Sequence, residues 1–304
     1  MMKRVFAALI VGLTFTAILT AQVRYTVIPD NPRPGEPVTI GVSTNEKEAR
    51  LFVNGRQLAR SRFFSVPASD ENACFFAAVL TIPSTARPGE AVINLYNEWD
   101  AVYEIAITIA PRSFVSEVIE LNPVNTGIRT DPNPQRDAEA DRLWAILNST
   151  GSQIYHTGLF VPPVTSTRRT SFFGDRRVFQ YSSGGSDTSI HAGVDYGVPT
   201  GTRVTACGAG RVILAVMRVS TGNSVIIEHA PGIYSLYYHL DSISVQEGAI
   251  VETGTLVGLS GSTGLSTGPH LHWEVRVSTE NTDPDAFVAR PILDKELIIS
   301  RIYN

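Results

Sequence analysis

The sequence predicts a mainly β protein with two domains, an N-terminal immunoglobulin-like β-sandwich and a C-terminal antiparallel β-sheet domain, joined by a short helical connector. The chain has 304 residues, which is enough for about two domains. It contains 24 glycines and 18 prolines, and short apolar runs recur between turn-forming residues. This pattern is typical of antiparallel strands joined by tight turns. The net charge of −4 gives no electrostatic basis for binding nucleic acid.

The first 21 residues have the pattern of a signal peptide. Lys3 and Arg4 precede an uncharged apolar run over residues 5–19, and the small residues Thr20 and Ala21 predict cleavage after Ala21. The apolar run is short for a membrane span, which needs about 20 apolar residues. An uncleaved anchor is the alternative. We therefore expect an exported, periplasmic or extracellular protein with no membrane attachment after cleavage.

Residues 22–112 are predicted to form the immunoglobulin-like sandwich. The apolar or β-branched runs that predict its strands are Tyr25–Ile28, Val38–Val42, Ala49–Val53, Phe75–Ile82, Ala91–Tyr96 and Val102–Ile109. Asn54-Gly55 predicts a two-residue hairpin turn. The segment has no histidine and no acidic cluster at ligand spacing. Its role is therefore open, and binding of a protein partner is one role that it could serve.

Residues 113–164 are predicted to be a connector with one helix. The segment 131–134 (Asp-Pro-Asn-Pro) breaks the chain, and a helix is expected from about residue 135 to residue 148. The side chains that share one face of this helix are Ala140, Leu143, Trp144 and Leu147. His156 stands alone and is expected to be structural or exposed.

Residues 165–290 are predicted to form the antiparallel β domain, and residues 291–304 a C-terminal tail. Glycine-rich turns separate the candidate strands, and no helical period is evident over 190–277. The candidate strands are Arg203–Val219, Ser224–His229, Tyr234–Leu240, Ala249–Leu259 and His270–Val277.

The two cysteines, Cys74 and Cys207, lie in different predicted domains. An exported chain permits a disulfide. Both residues lie in apolar surroundings, so two separate buried thiols are expected.

The segment Gly268–Val277 carries the strongest chemical signal. Strand alternation places His270, His272, Glu274 and Arg276 on one face and apolar side chains on the other. Two imidazoles two residues apart on a strand lie roughly 6–7 Å apart at Cα. This spacing suits one metal ligand and one neighbour that can reach what the metal holds. Taken alone, the pair would also fit two surface histidines on an edge strand.

A second motif is His191-Ala-Gly-Val-Asp195. On a straight strand its end residues would be about 13 Å apart, too far to share a metal whose ligands lie about 2 Å from it. A bend at Gly193 could bring them together. One His, one Asp and one further His would make three protein ligands, which leaves the fourth position of a catalytic zinc site for water.

Two other histidines need placing. His239 shares a face with Tyr237 if that segment is a strand, and a lone histidine there is more often structural. His229 precedes Pro231-Gly232 and is expected to be a turn histidine. There is no His-Glu-x-x-His helix, so spare histidines would have to perform acid–base chemistry.

In their order along the chain, these motifs resemble the lysostaphin-like zinc metallo-endopeptidases, which cut peptide cross-links in bacterial peptidoglycan. The resemblance covers residues 165–285, approximately. The segments that carry it are Ser171–Arg176, which resembles the family's Phe-Gly-x-Arg, His191–Asp195, the glycine-turn strands 201–204 and 209–212, Tyr238–Leu240 and the glycine-rich run that ends at Gly268–His272.

The resemblance implies an open antiparallel sheet whose groove is walled by loops. It implies one Zn²⁺ per chain, with the ligands His191, Asp195 and His272. The catalytic pair beside the metal would be His239 and His270. The side chains expected to line the groove are Tyr237 and Asn223. Spacing alone leaves open which histidine of the His-Leu-His pair is the ligand.

The expected function is zinc-dependent hydrolysis of peptide cross-links or stem peptides in peptidoglycan by a cell-wall-associated enzyme. The alternative is a blocked or inactive scaffold that binds the wall or activates a partner hydrolase. An upstream segment could block the site with a fourth ligand, and the candidates are Asn122, Asn125, Asp131 and Asn133. A third class is an adhesion or structural protein dominated by the N-terminal domain.

Overall fold

A computed structural model describes residues 23–67, 74–100 and 102–303. The predicted signal peptide and its cleavage site lie outside these residues. The fold is mainly β with antiparallel sheets, as the sequence predicts. Within the described ranges, no helix is long and apolar enough to span a bilayer.

The N-terminal part contains two four-stranded sheets, with strand orders β1-β2-β6-β5 and β4-β3-β7-β8. The strands are β1 (Tyr25–Ile28), β2 (Pro37–Val42), β3 (Glu48–Val53), β4 (Arg56–Arg62), β5 (Phe64–Pro67), β6 (Cys74–Thr81), β7 (Gly89–Tyr96) and β8 (Val102–Ile109). The predicted hairpin is confirmed: Asn54 and Gly55 join β3 to β4 with φ values of 50° and 73°. The immunoglobulin-like topology predicted here stays a prediction.

The connector is more structured than predicted. It contains β9 (Ser116–Glu120), α1 (Pro123–Thr130) and α2 (Pro134–Asn148). The predicted helix is α2, and Leu147 is buried against the large C-terminal sheet, while Trp144 is 51% exposed. Each helix has proline in its first turn and an asparagine N-cap, whose side chain accepts a backbone N–H bond.

The C-terminal part is built on one ten-stranded sheet, whose central order is β10-β13-β20-β17-β16-β15-β18. Its pairings are antiparallel. A small separate sheet has the order β12-β11-β9, in which β9 pairs with β11 in parallel. The elements are β10 (Arg169–Ser171), β11 (Arg176–Gln180), β12 (Ser186–Ile190), β13 (Val194–Tyr196), β14 (Arg203–Thr205), β15 (Gly210–Arg218), β16 (Gly222–Ala230), β17 (Ile233–Ile243), β18 (Ile250–Val251), β19 (Leu256–Ser260), β20 (Leu271–Val277), β21 (Glu280–Thr282), α3 (Pro284–Ala289) and α4 (Lys295–Tyr303).

Two predicted strands are each divided by a turn. The predicted strand 203–219 is β14 and β15, because the chain bends at residues 207–209 between them. The predicted strand 249–259 is β18 and β19, separated by a turn at Gly254, whose φ is +84°.

The prediction of two buried thiols is half correct. Cys207 is buried, but Cys74 is exposed. Cys74 is the first residue of β6, and the alternation that buries Phe75 turns Cys74 outward. The two thiols are free, in agreement with the predicted absence of a disulfide.

The two halves of the chain share one apolar core. Residues 291–304, for which the sequence predicts no element, contain the whole of α4. Ile298 and Ile302 of α4 lie over β2 at Gly41, where an added Cβ would lie 2.5 Å from Ile298. Phe75 and Val79 of β6 belong to the same buried cluster as these residues and the inner face of the large sheet.

Candidate active site

Strand pairing brings the predicted ligands together. β13 lies between β10 and β20, and its register places Asp195 opposite His272. Just before β13, an added Cβ on Gly193 would lie 2.1 Å from the carbonyl oxygen of Trp273. Glycine therefore permits the close approach of the two backbones. The chain bends here, and His191 Nε2 lies 3.1 Å from Asp195 Oδ1.

Three side-chain atoms converge on one point. His272 Nδ1 lies 2.6 Å from Asp195 Oδ1 and 3.0 Å from His191 Nε2. The three residues are buried, and their ligand atoms all lie within 4.8 Å of one another. The His-x3-Asp motif and one histidine of the His-Leu-His pair therefore form one cluster.

Hydrogen bonds at the outer nitrogens set the tautomers of both rings. His191 Nδ1 lies 2.8 Å from the carbonyl oxygen of Phe172, so it donates there. His272 Nε2 donates to Glu274 Oε1 at 3.0 Å. When both rings are neutral, their inner nitrogens present lone pairs toward a carboxylate oxygen. Three such atoms in mutual contact need a positive charge between them, either a proton or a metal ion, and this donor set fits zinc.

The electrostatics of the cluster also favour a positive charge. Burial works to lower the pKa of His272, but Asp195 and Glu274 override it and raise the pKa to about 9. Burial likewise works to raise the pKa of Asp195, yet His272 and His191 hold it well below its ordinary value. The carboxylate is therefore ionised at neutral pH and stabilises a cation beside it.

His239 and His270 lie beside the cluster, with ring centroids 4.8 Å apart. Each donates through Nδ1 to a backbone carbonyl, His239 to Thr263 at 2.7 Å and His270 to Gly268 at 2.8 Å. Each therefore keeps a lone pair on Nε2. His270 Nε2 lies 3.9 Å from Asp195 Oδ1. Burial lowers the pKa of both rings, that of His239 to about 3, so both are neutral at pH 7.

The backbone at His239 is left-handed, with φ of 60°. Regular alternation along β17 would place His239 on the same face as Tyr237, which is the core face. The irregular residue turns the ring to the face of Tyr238 and His272 instead. A non-glycine residue in this conformation is uncommon and is often found at functional sites.

These side chains open onto a cleft of about 580 Å³, lined by His191, Asp195, His239, His270 and His272 among others. Tyr237, one of the two predicted groove residues, is not in the lining. It is fully buried, and its hydroxyl accepts from the N–H of Cys207 at 2.9 Å. Tyr238 lines the cleft instead and stacks on His272, with ring centroids 5.7 Å apart.

Asn223, the second predicted groove residue, also lies outside the lining. Its amide donates to the carbonyl oxygens of Leu240 and Asp241 at 3.2 and 2.9 Å. Asn223 therefore supports the end of β17 that follows His239.

The connector residues suggested as a blocking ligand have other partners. Asn122 and Asn133 accept backbone N–H bonds at the N-caps of α1 and α2. Asn125 donates to the carbonyl oxygen of Ser266 at 2.8 Å, and Asp131 accepts from Thr130. None of the four lines the cleft. The described structure therefore gives no support to a fourth ligand from these residues.

Sequence reasoning missed part of the cleft wall. Glu117 and Ile119 of β9 line the cleft, as do Arg177 and Phe179, their direct neighbours on β11. The alternation of Ser116–Glu120 is too short to predict a strand, and parallel pairing to a strand about 60 residues later leaves no local signal.

Comparison with known proteins agrees with this geometry. The sequence model of peptidase family M23 matches residues 189–284. The chain is 39% identical over 127 residues to a DD-carboxypeptidase/endopeptidase, Mpg, of Neisseria meningitidis serogroup B, a match covering 42% of this chain and 28% of that protein. It is 42% identical over 116 residues to the peptidoglycan DD-endopeptidase ShyA of Vibrio cholerae, covering 38% of this chain and 26% of that protein.

These matches span just over a quarter of the length of each relative. A solved structure covers more of the chain. A putative peptidase M23 from Pseudomonas aeruginosa superposes with a TM-score of 0.59 at 24% identity, over 84% of this chain and 94% of that one. This likeness concerns the fold alone.

Proposed function

Because residues 189–284 form a domain of peptidase family M23, we propose that the protein is a zinc-dependent endopeptidase that hydrolyses peptide cross-links or stem peptides of bacterial peptidoglycan. The observation that carries the proposal is the buried convergence of His191, Asp195 and His272 at the floor of an open cleft. The substrate class is supported by relatives that are named DD-carboxypeptidase/endopeptidase and peptidoglycan DD-endopeptidase.

In this proposal, His191 Nε2, Asp195 Oδ1 and His272 Nδ1 hold one zinc ion. Bound zinc would supply a Lewis acid for the scissile carbonyl and lower the pKa of a water molecule toward about 7. The carbonyl of Phe172 and the carboxylate of Glu274 keep the two ligand rings in the tautomers that point a lone pair inward.

His239 and His270 supply the acid–base chemistry. Both rings are neutral and present Nε2 lone pairs, so each is ready to accept a proton from the attacking water. Once protonated, the same nitrogen can donate to the leaving amine or to the developing oxyanion. The donated bonds to Thr263 and Gly268 hold the rings in place throughout.

The location follows from the substrate. Peptidoglycan lies outside the cytoplasm, so the enzyme would be exported to the periplasm or the cell wall. The domain division 22–112, 113–164, 165–290 and 291–304 belongs to the same proposal, with the N-terminal part free to bind a protein partner.

The test is muropeptide release from purified peptidoglycan, combined with metal analysis. The wild type should carry about one zinc per chain and lose activity with chelator. His239→Ala should keep its zinc yet lose activity by about 10²–10⁴-fold, the usual worth of a general acid–base group. The matched control is His156→Gln, a histidine outside the cleft. Zinc-loaded wild type that releases no product would overturn the proposal.

A further inference from the structure

The metal cluster is connected to a residue far upstream of the family domain. Asp195 uses only Oδ1 toward the histidines, and its Oδ2 accepts from Arg177 Nη2 at 2.8 Å. Arg177 in turn donates from Nε to Glu117 Oε1 at 2.6 Å. Glu117 and Arg177 both lie before residue 189, where the family match begins.

From these contacts we infer that Glu117 is a positioning residue for the zinc ligand Asp195, acting through Arg177. The inference rests on the proposed zinc site and extends it to the connector. It makes β9 part of the metal centre through the side chain of Arg177.

The strand register makes the connection rigid. β9 and β11 pair in parallel with Glu117 directly beside Arg177. Ser171 adds a third contact, because its Oγ accepts from Arg177 Nη2 at 2.7 Å and donates to Glu117 at 3.0 Å. The Arg177 side chain is 16% exposed and that of Asp195 is 9% exposed, so solvent weakens the charge-assisted bond between them little. The Glu117 side chain is 31% exposed, so its bond to Arg177 is more open to solvent.

Glu117 also limits what Arg177 can do to Asp195. With Glu117 in place, the guanidinium is divided between two carboxylates and reaches only Oδ2 of Asp195. Without Glu117, Asp195 is the carboxylate left in contact with Arg177, and a bidentate pair would engage Oδ1 as well. Oδ1 is the atom that the metal needs. Loss of Glu117 should therefore weaken zinc binding even though Glu117 holds no metal itself.

The experiment measures zinc affinity of the full-length protein by competition with a chromophoric chelator. Glu117→Ala should bind zinc about 10- to 100-fold more weakly, the usual effect of losing such a supporting contact. Glu117→Gln keeps an oxygen acceptor for Arg177 and should lie between Glu117→Ala and wild type. The matched control is Glu120→Ala, an exposed carboxylate on the same strand, which should bind zinc like wild type.

A double-mutant cycle tests the route through Arg177. In an Arg177→Ala background, Glu117→Ala should change zinc affinity by less than about twofold, because its partner is gone. Melting of the metal-free variants checks the fold, and if Glu117→Ala fails to fold, Glu117→Gln carries the test.

Wild-type zinc affinity in Glu117→Ala, or an undiminished effect in the Arg177→Ala background, would overturn this inference alone. Wild-type protein that takes up no zinc would instead overturn the proposed function, so the two failures are distinguishable.

Discussion

His229 is a single buried residue whose environment favours one charge state. It is fully buried in β16, where its Nδ1 donates to the carbonyl oxygen of Ala209 at 2.7 Å and its Nε2 accepts from Ser235 at 2.7 Å. Cys207 Sγ lies 3.8 Å from His229 Nε2. The sequence predicts a turn histidine at this position, but the turn begins two residues later. Burial lowers the pKa of His229 to about 3.

This depressed pKa predicts a loss of stability in acid. The unfolded chain takes up a proton near pH 6.5, whereas the folded protein resists it until about pH 3. The contribution of His229 to the free energy of unfolding is therefore complete above about pH 6.5. It falls as the pH drops, by about 1.4 kcal/mol per pH unit. Between about pH 7.5 and about pH 5 the metal-free protein should lose about 2 kcal/mol through this residue.

Urea unfolding of metal-free wild type and His229→Asn at the two pH values measures this contribution. The variant lacks the titrating group, so the decrease in its free energy of unfolding between the two pH values should be smaller by about 2 kcal/mol. Other buried histidines titrate equally in both proteins and cancel in the comparison. Equal pH dependence in the two proteins would contradict the prediction.

At the same scale, His239 shows why part of the site was predictable and part was not. The motifs indicated the histidines that the structure brings together at the cleft, because residue types and their order do not depend on geometry. The orientation of the histidine side chains does depend on geometry. The left-handed backbone of His239 is held by bonds to Thr221 and Thr263, which come from separate loops. Strand alternation contains no trace of these bonds, so it gave no reason to expect Tyr238 and not Tyr237 in the groove.

At the scale of elements, the junction between β13 and β20 depends on Gly193. The added Cβ would meet backbone atoms, namely the carbonyl oxygen of Trp273 at 2.1 Å and the Cα of Glu274 at 3.0 Å. Backbone atoms in a central strand have little freedom to move aside. Gly193 also lies midway between His191 and Asp195. A displacement of the chain at Gly193 would therefore move both of these residues away from His272 on β20.

Gly193→Ala should therefore be destabilised by about 1–3 kcal/mol, as in other overpacked interiors, and should bind zinc more weakly than wild type. Chemical unfolding and chelator competition measure the two effects. The control is Gly158→Ala, where the nearest atom to an added Cβ lies 3.6 Å away in ordinary contact. A Gly193→Ala protein with wild-type stability and zinc affinity would contradict the steric argument.

The elements that the sequence predicted well are those with local signals. The hairpin at Asn54-Gly55 and helix α2 each follow from neighbouring residues. Strand β9 and helix α4 were missed because their partners are distant: β9 pairs with β11, and α4 packs on β1 and β2 near the start of the chain. The bend between β14 and β15 was missed although Gly208 lies within it, because the apolar and β-branched residues on either side continue the strand pattern.

At the scale of the whole molecule, two strands join the halves of the chain. Side chains of β6 alternate between two cores: Phe75, Ala77 and Val79 belong to the core shared with the C-terminal part, and Ala78 and Leu80 belong to the core between the N-terminal sheets. The continuous apolar run of β6 is the sequence signal for a strand buried on both faces.

β2 is buried along its full length in the same way. Ile40 faces the N-terminal core, while Thr39 donates to the carbonyl oxygen of Ile292 at 3.1 Å on the opposite face. Further contacts between the halves are the hydrogen bond between Thr81 and Thr282 and the ion pair of Arg112 with Asp283 at 2.6 Å. With so much apolar surface shared, neither half should stay folded when the other unfolds.

We therefore predict that the chain unfolds in one cooperative transition. The protein has three tryptophans, at positions 99, 144 and 273. In a Trp99→Phe/Trp144→Phe background, fluorescence reports only Trp273, which is fully buried in the large sheet. Adding Ile40→Ala removes a side chain from the N-terminal core and should cost about 2–5 kcal/mol. If the halves are coupled, Trp273 must report that loss as a lower denaturation midpoint, equal to the midpoint seen by circular dichroism.

Glu90→Ala, an exposed change on β7, is the control and should leave the midpoint unchanged. An Ile40→Ala protein in which the Trp273 transition stays at its original midpoint, while circular dichroism shows an earlier separate phase, would mean that the two halves unfold independently.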